Sequence, residues 1–118
     1  MKALLMTTVV LTLAGCASYS ERQAEAPWFT MTSDRSAIEL EQCVAPKLRE
    51  IAPRITGAPD GDSVVYAVVA DPAVLGTITL KPSTQGSIAE IRSVIKGGNF
   101  KKIRIALEEC KSEYILLR

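Results

Sequence analysis

The chain contains no histidine. It therefore lacks the commonest general base near neutral pH and the commonest metal ligand. Aromatic residues are scarce, at 5%, so any core is built mainly from aliphatic side chains. Neither sign of charge dominates: 14 basic residues face 13 acidic ones. A neutral balance offers no electrostatic case for nucleic acid, whose binding requires displacing counterions from phosphates. A long hydrophobic run is also missing. The apolar stretch from Ala3 to Leu13 falls well short of the ~20 residues needed to cross a bilayer.

That short stretch is informative in another way. Lys2 precedes it and small residues follow it, the arrangement of a secretory signal peptide. It ends in Leu13-Ala14-Gly15-Cys16, which closely resembles the lipobox of bacterial lipoproteins. The resemblance implies residues 1–15 as signal peptide, cleavage between Gly15 and Cys16, and a covalent lipid on the Cys16 thiol and new amino terminus. Ala17, rather than Asp, follows the cysteine, and in the enteric sorting rule this resembles an outer-membrane cargo. The expected location is the periplasmic face of the outer membrane, held by acyl chains that each contribute ~0.8 kcal/mol per buried CH₂. Removing Lys2 leaves 13 basic residues against 13 acidic, so the mature chain is neutral.

With Cys16 lipidated, Cys43 and Cys110 remain as an even pair in an oxidising compartment and are expected to form a disulfide. Thiol catalysis is not indicated, because there is no CxxC spacing and no histidine to activate a nucleophile.

Residues 16–35 read as a lipidated tether, polar and without periodicity. Trp28-Phe29 interrupts it with two large aromatics that are costly to leave in water. They either fold back on the core, meet a partner, or dip into the bilayer interface. The domain proper is expected over 36–118. Ser36 and Glu39 match a capping box. Ala37, Leu40, Cys43, Val44, Leu48 and Ile51 then repeat at helical spacing, with a kink or break expected at Pro46. The run Val64–Val69 suits a strand, and Asp71-Pro72 ends it. Gly76–Pro82 and Ser87–Ile95 form a hairpin around Ser83–Gly86, with Leu80 facing Ala89, Ile78 facing Ile91, Thr79 facing Glu90 and Thr77 facing Arg92. Asn99 is a plausible N-cap for a last helix in which Phe100, Ile103, Leu107 and Cys110 share one face. The tail from Glu113 to Leu117 fits a helical turn or an edge strand.

The expected fold is α+β, a three-stranded antiparallel sheet covered by N- and C-terminal helices in the order α-β-β-β-α. That body, with Asp71-Pro72 and Pro82…Gly86-Ser87 as its turns, is similar to small uncharacterised lipoproteins of Gram-negative bacteria. The resemblance lends support to the fold alone, since those proteins have no agreed activity.

Candidate sites are few. Asp60-Gly61-Asp62 with Asp71 lacks the alternating ligand pattern of a calcium loop and reads as turn chemistry. Gly97-Gly98-Asn99 lacks the remainder of a P-loop, and the adjacent Glu108 and Glu109 point apart on a helix. No metal and no cofactor is expected beyond the lipid on Cys16. The basic sector Arg92, Lys96, Lys101, Lys102 and Arg104, together with Trp28-Phe29 and the sheet face bearing Thr77, Thr79, Glu90 and Arg92, is the candidate partner surface. The expectation is a non-enzymatic binding or adaptor module contacting an envelope protein or peptidoglycan. The alternative is an inhibitor or immunity-type lipoprotein that blocks a hydrolase or toxin.

Overall fold

The computed structural model describes residues 18–70 and 73–112. The segment expected to be a lipobox, Leu13 to Cys16, the expected turn at Asp71-Pro72 and the tail after Ser112 lie outside the described residues. In chain order the elements are α1 (Tyr19–Ala24), β1 (Phe29–Ser33), α2 (Ala37–Ile51), β2 (Thr56–Asp60), β3 (Ser63–Ala70), β4 (Ala73–Ser83), β5 (Gly86–Ser93) and α3 (Asn99–Cys110). The fold is α+β. The sheet, however, has five strands rather than three, in the order β1-β5-β4-β3-β2 and antiparallel throughout.

Both additional strands are edges, and each had a reason to be overlooked. β2 is Thr-Gly-Ala-Pro-Asp, a turn-like composition whose five residues are all exposed. Proline is tolerated in a sheet where its missing N–H faces open space, which an edge strand provides. Gly57 of β2 pairs with Tyr66, whose ring lies over it; a Cβ there would come within 2.5 Å of a ring carbon. β1 does alternate, with Met31 and Ser33 buried and Thr30 and Thr32 exposed, but over only five residues. Residues 18–35, expected to be a tether, instead carry α1 and β1 and are part of the folded body.

The hairpin register matches the expectation pair for pair: Thr77 with Arg92, Ile78 with Ile91, Thr79 with Glu90, Leu80 with Ala89, and Lys81 with Ile88. This alternation divides the sheet into two unlike faces. Ile78, Leu80, Ala89 and Ile91 point into one core with Met31 and Tyr66, beneath α2 and α3. From the helices, Leu40, Val44 and Leu48 of α2 and Ile103, Leu107 and Cys110 of α3 are fully buried. Each such aliphatic side chain contributes roughly 1.5–3 kcal/mol of burial.

α2 begins at the expected capping box, in which Ser36 Oγ accepts from the Glu39 N–H at 3.2 Å and Glu39 Oε1 accepts from the Ser36 N–H at 3.3 Å. The Ser36 hydroxyl, which donates to Glu39 Oε1 at 2.9 Å, and then the Ser36 N–H hold the Glu39 carboxyl below its usual pKa. The helix does not break at Pro46, which sits exposed within a single 15-residue element. One backbone bond is lost there, but Val44 before it and Leu48 after it are buried against the same core. At α3 the cap residue is Gly98, at φ +59°, and Asn99 is the first helical residue; no side chain caps this end.

Candidate functional site

Cys43 and Cys110 are joined by a disulfide, with Cα atoms 5.8 Å apart. The helical spacing that put both cysteines on apolar faces thus brings α2 and α3 together above the sheet.

The other sheet face is polar, and the structure changes what it can do. Thr77, Thr79 and Glu90, expected to be displayed to a partner, are buried. α1 lies over them. Gln23 binds two threonines at once: its Oε1 accepts from Thr77 Oγ1 at 2.5 Å, and its Nε2 donates to Thr79 Oγ1 at 3.2 Å. Arg22 Nε donates to the Val74 carbonyl at 2.6 Å, and Arg22 Nη1 reaches Glu25 at 2.9 Å. Arg92 Nε donates to the Glu25 carbonyl at 2.7 Å, while its Nη1 bonds Glu90 at 3.1 Å. Lys81 sits on the other oxygen of Glu90, 3.3 Å away. Buried polar groups need partners: α1 supplies them for Thr77 and Thr79, and Arg92 and Lys81 of the sheet supply them for Glu90.

This network was not visible to a reading based on apolar periodicity, because α1 (Tyr-Ser-Glu-Arg-Gln-Ala) has no apolar face. The available signal lay in β4. Thr77 and Thr79 alternate with core residues on a central strand, and that obliges something polar to cover them.

Arg92 is therefore committed to the fold and is not a free contact. Trp28 is likewise half-buried against the core, with Nε1 donating to Ser93 Oγ at 2.7 Å, and Phe29 packs beside it. Lys96, Lys101 and Lys102 are exposed. They surround the α3 start together with Val94 and Ile95, which are 59% and 50% exposed. What remains exposed of the candidate partner surface is this end of the sheet, where Val94 and Ile95 adjoin Lys96 in sequence and Lys101 and Lys102 lie in the first turn of α3.

Two further features are local. Tyr66, beneath α2, donates to Glu41 Oε2 at 2.6 Å, and burial together with that carboxylate pushes its phenol up to about 12. At the opposite end of the sheet a hollow of about 570 Å³ is lined by Ser33, Asp34, Ser83, Thr84, Gln85 and Lys111, among others. It is rich in hydroxyls, and Ser33 Oγ donates across its rim to the Lys111 carbonyl. Among the described residues there is no group of three or more Cys, Asp or Glu side chains placed to hold a metal ion, and no helix is long and apolar enough to cross a membrane. Scans against protein-family models, curated proteins and solved structures find no match to the chain.

Proposed function

We propose that the protein is a lipoprotein anchored through Cys16 to the periplasmic face of the outer membrane, and that its α+β domain acts there as a non-catalytic binding or adaptor module. The observation that carries the anchor is Leu13-Ala14-Gly15-Cys16 at the end of a signal-like segment. The disulfide between the two remaining cysteines suits the oxidising compartment to which such a segment leads. Support for the binding role comes from the end of the sheet at Val94, Ile95, Lys96, Lys101 and Lys102. Exposed branched apolar residues beside a cationic rim fit a partner with an apolar contact and acidic surroundings.

The test has two stages. Cys16→Ser should block lipidation and leave the unprocessed chain; unchanged mobility and membrane retention would refute the anchor. Crosslinking in intact cells, followed by mass spectrometry, should recover one stoichiometric envelope protein, lost when Lys96, Lys101 and Lys102 are changed to Glu. Recovery of only abundant porins and lipid would refute the adaptor reading. A lytic enzyme or toxin in that position would instead identify an inhibitor.

A further inference from the structure

Only Ala17 separates Cys16 from Ser18. Ser18 is the N-cap of α1, its Oγ accepting from the Glu21 N–H at 3.4 Å. Two peptide steps reach about 7 Å at full extension. α1 itself is held to the sheet through Arg22, Gln23 and Glu25, as described above. Acyl chains on Cys16 would therefore leave the chain within about 7 Å of Ser18.

The start of α1 is beside β2. Tyr19 donates to Asp60 Oδ2 at 3.1 Å, and its partly exposed ring borders a hollow with Ala58 and Thr56. Around the other side of β2, bordering a second hollow with Pro59, stands Ile38, which is 68% exposed. β2 is exposed along its length and carries no lysine, arginine or glutamate; Asp60 is its one charge. Pro59 offers no N–H, which makes this edge a poor template for an added strand. Besides Asp60, the two hollows are bordered by Glu41 and Asp62, so the uncharged part of the rim is confined to Tyr19, Ile38, Ala58 and Pro59, two of them large exposed side chains. One of them, a tyrosine, is of the type enriched at the headgroup level of membranes.

We infer that the rim formed by Tyr19, Ile38, Ala58 and Pro59 lies against the headgroup region of the bilayer that holds the Cys16 acyl chains, so the domain is apposed to the membrane and not suspended from it. This inference rests on the acylation of Cys16 proposed above. The short connection keeps the rim at high effective concentration at the lipid surface, so weak contacts suffice. A partner bound elsewhere on the domain must then lie within about one domain width of the membrane.

The test uses the full lipidated protein, purified from bacterial membranes and reconstituted into phosphatidylcholine–phosphatidylglycerol vesicles containing a headgroup-nitroxide lipid. A fluorophore is placed at Ala58→Cys or at Ile105→Cys; Ile105 is an exposed position on α3, which packs over the opposite sheet face. Quenching severalfold stronger at 58 than at 105 is expected. Inserting about 20 Gly/Ser residues between Ala17 and Ser18, with a root-mean-square span of roughly 25 Å, should remove that difference. Equal quenching at the two positions in the acylated, uninserted protein would overturn the apposition and leave the anchor standing. A mature chain without acyl mass on Cys16 would overturn both.

Discussion

Breaking the Cys43–Cys110 bridge is the perturbation whose size the structure fixes best. The cysteines are 67 residues apart in sequence, and the chain-entropy model assigns a loop of that length ~4 kcal/mol of stabilisation. At roughly 4–8 °C per kcal/mol for a domain of this size, the melting temperature should fall by about 15–30 °C. The two single variants should not be equal. Cys43 is half-buried, whereas Cys110 is fully buried beside Ile103 and Leu107. Each variant loses the shared bond, but Cys110→Ser also places a hydroxyl in an apolar site, for an additional cost of ~1–3 kcal/mol. Urea denaturation of the oxidised wild type, both serine variants and the double alanine variant would measure these terms. A loss below about 1 kcal/mol for Cys43→Ser would refute the entropic argument. Cys43→Ser proving more damaging than Cys110→Ser would refute the burial argument.

Gly86 has φ +144°, and a Cβ there would come within 2.2 Å of the Ser33 carbonyl oxygen and 2.9 Å of that of Arg35. Gly86→Ala should therefore cost ~2 kcal/mol or more in chemical denaturation, and a neutral outcome would show that β1 does not pack on the hairpin as described. Tyr66 offers a pH signature. Its phenol has a pKa raised from 10.0 to about 12 in the folded protein, so its contribution is complete below pH 10 and is lost as the pH climbs toward 12, where the unfolded chain has already released the proton. Stability measured across that range should fall less steeply for Tyr66→Phe than for wild type; parallel slopes would mean that neither burial nor the Glu41 contact protects the phenol.

Much of this molecule could be read without coordinates. Periodicity was enough to place α2 and α3, capping chemistry to mark the start of α2 alone, and a pattern of alternation to place the β4–β5 register, because each of those signals is carried within one element or between two neighbours in sequence. Cys43 and Cys110 could be paired for the same reason: both recur on apolar helical faces. The proposed anchor motif, Leu13 to Cys16, is likewise local, and only sequence speaks to it. Tertiary structure decided the rest. Whether Thr77 and Thr79 face a partner or α1 depends on a helix some 54–56 residues away that bonds through Gln23 and has no apolar stripe to announce it. β2, with its glycine and proline, becomes a strand only because β3 offers it an edge and Tyr66 fills the space over Gly57. The span taken for a tether folds because its partners are distant hydroxyls and carbonyls, and sequence patterns of burial do not record such hydrogen bonds.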